Sequence, residues 1–434
     1  MTVNPIRPTL RAWYVLAILI VVSFSAGINR HILFLVVEPL KVEMNVSDTQ
    51  IGILIGIGPA ILAGAGALLF GWLTDRTSRH ILLAVCVMFW SAATALLSFA
   101  TDYNMFFLGV MFLALGETAL GPICSSITPD LFPGKSRVTA NIIFAATGSA
   151  LAGVGTAASG ALLGWLQFHY TELPTIIQSM SYWRSAFLII AVVGIPLALL
   201  SASIGGVERR SINASVEVGL ETLKMYFQLH WKTALGLYIA MGLYSSAGNA
   251  VMSWTPTYIV RVYGMSPADV GISMGLYAAV GALSGIGSAF LVHRKLNDAF
   301  GSLAPRIMFT GAMVALLVPT LMHLAASNPT TVFLLVGTQI FFASFGSAMF
   351  TTMIQDISPA KLRGQLFGIS ILIMTLLSSI SPLAVGLISD KFPSNPNALL
   401  WAITIVVVPS ILAAVASMWQ STSSFKSTVT VLSV

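Results

Sequence analysis

The sequence predicts an all-α membrane protein: twelve transmembrane helices in two six-helix, pseudo-symmetric bundles. Three observations lead there. Of 434 residues, 8% are charged and 56% hydrophobic, whereas a soluble chain carries about a quarter charged residues. The apolar residues gather into runs long enough to cross a bilayer, which takes about 20 residues. Short peptides of the first half also recur at matching places in the second.

Twelve apolar runs are present, at approximately 12–37, 49–73, 80–100, 104–128, 138–166, 184–204, 232–258, 267–292, 304–325, 331–353, 364–388 and 398–420. The first has no cleavage-like site and is expected to stay as a helix. The longest polar stretch, 205–231, divides six runs from six and holds Glu208, Arg209, Arg210, Glu217, Glu221 and Lys224. The expected organisation is an N-terminal bundle over 1–204, a cytoplasmic linker over 205–231 and a C-terminal bundle over 232–434. Within the linker, Val216–Gln228 is expected as a helix on the membrane surface. With both termini in the cytoplasm, 16 of the 21 Lys and Arg fall on inside segments. Lys41, Arg184, Arg261 and Lys391 fall outside, and Arg30 lies within a span. That asymmetry obeys the positive-inside rule, and the reverse orientation violates it.

The bulk numbers exclude several functions. The net charge of +6 is spread over inter-helix loops, without the basic cluster that would suggest nucleic acid. Cys86 and Cys124 lie inside apolar runs without metal-ligand spacing and are expected as small core residues. No nucleotide-binding G-x-x-x-x-G-K-[ST], metal cluster or nucleophile–base constellation occurs, so an enzyme, a primary pump, a resident cofactor and a metal site are not expected.

The two halves repeat. Val46-Ser-Asp-Thr-Gln-Ile-Gly-Ile53 opens the second run and Met265-Ser-Pro-Ala-Asp-Val-Gly-Ile272 the eighth. Pro129-Asp-Leu-Phe-Pro-Gly-Lys-Ser-Arg137 leaves the fourth and Gln355-Asp-Ile-Ser-Pro-Ala-Lys-Leu-Arg363 the tenth. The offsets, 219 and 226 residues, describe one duplicated six-helix unit.

Between the second and third runs stands Gly71-Trp-Leu-Thr-Asp-Arg-Thr-Ser-Arg-His80. Gly71 is expected to let two helices approach closely, while Asp75, Arg76 and Arg79 stay at the water boundary. The pattern resembles motif A of the major facilitator superfamily, with Ser78 where the family has Gly. The resemblance implies the major facilitator fold, alternating access, and a cytoplasmic gate made of Gly71, Asp75, Arg76 and Arg79, with Asp130 and Arg137 as neighbours. A closer resemblance begins at Asn29-Arg-His-Ile-Leu-Phe-Leu-Val-Val-Glu-Pro-Leu-Lys41 and continues through Val46–Gly52, Phe89–Ser91, Gly116–Ala119 and Asp130–Pro133. These peptides are similar to the bacterial spinster-like branch, whose members move lysolipids, sphingoid lipids or other amphiphiles. The organic anion:cation symporters share much of the pattern. Two positions depart from the branch: Asn29 replaces its acid, and Val110 replaces an Arg two turns before Glu117.

Charges inside spans are functional candidates by default, because each costs roughly 2.5–3.5 kcal/mol at the bilayer centre. Arg30 and Glu117 are those charges here, and with Asn29 they form the expected substrate- or proton-coupling group. Glu38, before Pro39, is the candidate extracellular gate. The fold implied by the resemblance lines its cavity with helices 1, 4, 7 and 10, which bring Tyr244, Asn249, Trp254, Gln339 and Phe342 as candidate lining residues. Aromatic faces with few cations suit an amphiphile. The expected function is therefore secondary active transport of an organic, amphipathic or lipid-like solute, with protons as the candidate coupling ion. A small organic-anion symporter and a non-transporting sensor or lipid-binding membrane protein are the alternatives. The expected partners are that solute, membrane lipids and protons but no nucleic acid. The protein is expected as a monomer in a bacterial inner membrane.

Overall fold

The computed structural model describes residues 9–132, 135–205, 220–359, 362–422, 424, 425 and 428. Among the described residues there are twelve long helices and no strand. They are α1 (Leu10–Leu35), α2 (Asp48–Ile55 and Ile57–Arg76, broken at Gly56), α3 (Arg79–Phe99) and α4 (Tyr103–Glu117 and Leu120–Leu131). Next come α5 (Lys135–His169), α6 (Tyr182–Ser203), α7 (Leu220–Tyr263) and α8 (Pro267–Phe300). The chain ends with α9 (Ala304–Met322), α10 (Pro329–Ser347 and Phe350–Asp356), α11 (Arg363–Ser389) and α12 (Ala398–Gln420). At 1.5 Å per residue, 20 residues cover the hydrocarbon of a bilayer. Large apolar residues left exposed along these helices, such as Leu199, Val280 and Leu412, face the surroundings that lipid would occupy.

Local signals set the helix starts. Thr9 caps α1 through its hydroxyl, which accepts the Ala12 amide at 3.3 Å. Ser47 and Gln50 form a reciprocal capping box at the start of α2, at 2.9 and 3.2 Å. Asp102 caps α4 by accepting the amides of Asn104 and Met105. A short helix, Val37–Met44, follows α1 and stops at Asn45, whose φ of 49° is left-handed. Asparagine tolerates that conformation better than most residues.

One element differs from expectation. The stretch expected as a surface helix continues without a break into α7 from Leu220 onward. No proline or glycine interrupts Leu220–Leu235, and its polar groups find protein partners. The Tyr226 hydroxyl donates to the Ile357 carbonyl at 2.7 Å, and His230 Nδ1 lies 3.0 Å from the Thr428 hydroxyl. These contacts hold Tyr226 and His230 against the second unit, while Met225, Leu229 and Trp231 stay exposed. Linker residues 206–219, including Glu208, Arg209, Arg210 and Glu217, lie outside the described residues.

The chain forms two compact units. The first comprises 1–46, 58–212 and 265–276; the second comprises 47–57, 213–264 and 277–434. Each sequence half thus gives one short segment to the unit built mainly by the other half. Within the first unit α3 packs on α4 and α6, and α1 packs on α5 and α6. Within the second, α9 packs on α10 and α12, and α7 packs on α11 and α12. The same pairs recur six helices later, which is the duplication read in the sequence.

The exchanged segments dock through small residues. In the first unit the start of α8 lies against α5: a Cβ added at Gly160 would stand 2.6 Å from the Ala268 carbonyl oxygen. In the second unit the start of α2 lies against α11, where a Cβ added at Gly386 would overlap the Asp48 carbonyl. Backbone-to-backbone approach of this kind leaves no room for a side chain.

Candidate substrate site

Arg30 and Glu117, 87 positions apart, meet in the first unit. Arg30 Nη2 lies 3.2 Å from Glu117 Oε2. The exposures of the two side chains differ sharply, 67% for Arg30 and 6% for Glu117. Glu117 ends the first segment of α4, just before the break at 118–119, and its Oε1 is buried without a hydrogen-bond partner. Arg30 therefore offers an accessible cation, while the acid behind it is only half satisfied.

Both residues line a cavity of about 360 Å³, within the usual range of small-molecule sites. One wall is the α1 face formed by Ile20, Phe24, Gly27 and Arg30, spaced by three or four residues so that they share a side. The α5 wall carries Phe144, Gly148 and Leu151, and Leu120 of α4 closes it beside Glu117. Charge sits at one locus, Ser23 adds a hydroxyl on the α1 wall, and most of the rest is hydrocarbon. His31 also lines the cavity; its Nδ1 is buried without a partner, and its ring meets Phe34 edge-on at 5.9 Å.

Asn29 turns elsewhere. It is 1% exposed, and its Oδ1 accepts the Thr94 hydroxyl of α3 at 3.3 Å while its Nδ2 has no partner. Its side chain points to α3, and Asn29 is not among the residues that line the cavity. Val110 is buried at 3% exposure on the α4 face that packs inward.

The expected residues of the second unit are placed as follows. The Tyr244 hydroxyl donates to the Phe342 carbonyl at 2.5 Å, and Trp254 Nε1 donates to the Pro382 carbonyl at 3.0 Å. Gln339 donates to the Thr320 hydroxyl at 3.0 Å and is 3% exposed. Asn249 Nδ2 donates to the Ser378 carbonyl at 2.9 Å and stays half-buried. The Phe342 ring meets Phe341 at 5.2 Å. In these positions Tyr244, Trp254 and Gln339 tie α7 to α10 and α11, and α10 to α9.

In the motif A hairpin, Arg79 Nη1 bonds the Asp130 carboxylate at 2.5 Å and the Ser126 carbonyl at 2.9 Å, joining the start of α3 to the end of α4. The Arg76 guanidinium stacks over the Trp72 ring at 4.3 Å. Among the described residues none makes the close approach expected at Gly71, where a Cβ would meet no atom within 4 Å. The side chains of Asp75 and Arg137 lie outside the described part of the structure. Glu38 is half-buried in the short helix after α1.

Two polar clusters escaped the sequence reading. In the first unit, Glu43 accepts hydrogen bonds from Ser181 Oγ (2.6 Å), Trp183 Nε1 (2.8 Å) and Arg184 Nε (2.7 Å). Arg184 also bonds the Ser98 and Ala100 carbonyls that end α3. Burial alone would raise the Glu43 carboxyl, but these donors and the Arg184 charge hold it below the usual range. In the second unit, Asp48 takes both terminal nitrogens of Arg261 at 3.0 Å and the Ser389 hydroxyl at 2.7 Å. A signal for both clusters was present. In the orientation expected from the charge rule, Arg184 and Arg261 are two of the four cations on the disfavoured side, and such a cation calls for an acid to hold it.

Two six-helix halves with matching internal packing and a charged cavity in one of them define a secondary transporter of the inverted- or parallel-repeat type. The profile of the Major Facilitator Superfamily matches residues 19–304. The chain belongs to that superfamily. It is 24% identical over 393 residues to an MFS-type efflux pump of Mycolicibacterium smegmatis, covering 89% of this chain and 87% of that protein. It is 23% identical over 366 residues to the probable galactarate/D-glucarate transporter GarP of Escherichia coli, covering 76% and 78%. The fold matches a crystal structure of a bacterial homologue of the human lysosomal transporter spinster, inward-facing and unoccupied. There the TM-score is 0.77 at 20% identity over 98% of each chain.

Proposed function

We propose that this secondary transporter carries an amphipathic organic anion, with Arg30 as the ligand of the anionic group. The observation that supports the reading is the accessible Arg30 guanidinium in a mostly apolar cavity, with the buried Glu117 carboxylate as its only ion-pair partner among the described residues. An incoming carboxylate, sulfate or phosphate would compete with Glu117 for that guanidinium. Release of Glu117 leaves a buried carboxylate without its cation, which favours its protonation. Solute binding and proton uptake are thereby coupled through one arginine.

A compact sugar acid such as the solutes named for GarP is a poorer match. Each hydroxyl of such a solute needs a hydrogen-bond partner when buried; beyond Arg30 and Glu117 the lining offers only Ser23 and His31, while Ile20, Phe24, Leu120, Phe144 and Leu151 offer none. Asn29, expected as a third member of the coupling group, serves in this reading to position α1 against α3. The orientation that follows the charge rule puts both termini and the 205–231 segment in the cytoplasm of a bacterial inner membrane, with the monomer as the working unit.

The test is flux in proteoliposomes. Wild-type protein is expected to exchange an amphipathic carboxylate such as dodecanoate, and Arg30→Ala to lose exchange while still folding. Equal exchange by Arg30→Ala sinks the assignment of Arg30. Stabilisation of wild type by glucarate and by no amphiphile sinks the choice of solute.

A further inference from the structure

We propose that Gly27 on α1 and Gly148 on α5 determine which solutes the cavity accepts, by keeping open the space in which an unbranched apolar chain lies. The inference rests on the transport reading above and assigns its selectivity to two residues.

Glycines in this protein fall into two groups. Some are required by packing, as at Gly160, where backbone from α8 occupies the place of a side chain. Others, including Gly27 and Gly148, would place a Cβ in open space with no atom within 4 Å. Freedom alone says little, because Gly64, Gly121 and Gly311 share it. What separates Gly27 and Gly148 is position: both line the Arg30–Glu117 cavity, one on each of its two helical walls. Glycine inside a helix is disfavoured relative to alanine, and no protein contact here calls for it. The space that these two leave is part of the cavity.

The chemistry of that space follows from its neighbours. Gly27 stands one turn from Arg30, and Phe24 and Ile20 continue the same α1 face. Ile20 is ten residues from Arg30, so the wall runs for about 15 Å along the helix. Opposite, Gly148 lies between Phe144 and Leu151, with Ala152 beyond. A solute with its anionic head on Arg30 can lay an extended chain along this wall. A leucine at either glycine would fill the path next to the head group and leave Arg30 reachable by a short or headgroup-only anion.

The experiment measures thermal shifts of the protein in nanodiscs with a series of n-alkyl carboxylates from butanoate to tetradecanoate. Arg30→Ala supplies the background from partition into the bilayer. Wild type is expected to respond more strongly as the chain lengthens. Gly27→Leu and Gly148→Leu should weaken dodecanoate binding at least tenfold and change butanoate less than threefold, while Gly311→Leu, contact-free on α9 but away from this cavity, should change neither. Should the leucine variants fail to fold, the Gly27→Ala/Gly148→Ala double variant replaces them, since neither added Cβ meets an atom. A chain-length profile unchanged in a folded variant overturns the glycine assignment and leaves the transport reading standing. Absence of any Arg30-dependent response in wild type overturns both.

Discussion

Asp390, the residue that closes α11, holds the start of α2 by accepting the backbone amide of Asp48 at 3.0 Å and that of Thr49 at 2.8 Å. A helix begins with four amides that have no intrahelical acceptor. The Ser47–Gln50 box satisfies one of them and the amide of Ser47 itself, and Asp390 takes the next two from more than 340 positions away. A negative charge there also meets the positive end of the helix dipole. Beside it the Asp48 carboxylate, 4% exposed, receives Arg261 in a two-pronged pair and Ser389 Oγ. In the proposed orientation this clasp lies on the outer side of the second unit.

The Asp48–Arg261 pair should be asymmetric to mutation. Arg261→Gln removes the two-pronged cation from a carboxylate that is 4% exposed, at a cost of about 2–5 kcal/mol. Asp48→Asn leaves behind Arg261, whose side chain is 26% exposed and can turn to water. Apparent melting temperature should therefore fall further for Arg261→Gln. The double variant should lie above the sum of the two losses. Additive losses would show that the pair does not act as a unit.

Asp390 gives the clasp a dependence on pH. Burial by itself would push its carboxyl up, but the Thr49 side chain and the amides of Thr49 and Asp48 outweigh this and hold it below the ordinary value of 3.8. A carboxyl depressed in the docked state stabilises docking fully above its ordinary value, and the contribution disappears as pH falls through the depressed one. Hydrogen exchange of the amides at 48–50 should stay slow at neutral pH and accelerate, after correction for intrinsic rate, below about pH 4. Asp390→Asn should exchange fast throughout. Uniform protection down to pH 3 would remove Asp390 from the clasp.

Much of the fold was legible because bilayer physics writes it in plain composition. Apolar runs and the repeated peptides needed no tertiary information, and the twelve helices fall where those runs stand. Arg30 and Glu117 were legible for the same reason: charge inside a span is costly, so it marks itself. Tyr244, Trp254 and Gln339 show the opposite case. Polar atoms on apolar helices look alike in sequence whether they face a ligand or a carbonyl of the next helix. Nothing in the sequence marks Asp48 or Glu43, and only their distant partners, Arg261 and Arg184, distinguish them. Segment 220–231 is continuous with α7, which its break in hydropathy hid, because an amphipathic pattern does not say whether a helix continues into the next span.

The Glu43–Arg184 cluster should behave as a structural staple. Arg184 is 9% exposed and caps two α3 carbonyls besides pairing with Glu43. Arg184→Met strands those carbonyls, at about 1–3 kcal/mol for each buried group left unsatisfied. Expression and melting temperature should drop, whereas solute affinity per folded molecule should stay within about twofold, since the cluster lies outside the Arg30 cavity. A selective loss of affinity with unchanged melting temperature would place Arg184 in the transport machinery instead.

Glu117→Gln separates a coupling role from a packing role for the Arg30 pair. Glutamine keeps the size of the side chain and one acceptor oxygen, so the hydrogen bond from Arg30 can persist while the charge and the titratable proton are lost. In the proposed cycle the solute displaces Glu117 from Arg30, and the freed carboxylate takes up a proton. Without that proton the variant should still bind an amphipathic anion, at least as tightly as wild type, because Arg30 no longer has an internal competitor. It should also exchange solute across a liposome membrane. What it should lose is accumulation driven by a pH gradient alone, and its uptake should become flat with pH. A purely structural pair gives the reverse pattern: lower expression and melting temperature, with pH-driven accumulation intact in the folded fraction. Arg30→Ala supplies the complementary arm, since it leaves Glu117 buried without its cation and should abolish binding itself. Accumulation by Glu117→Gln against a gradient, with pH as the only driving force, would take the proton away from this residue.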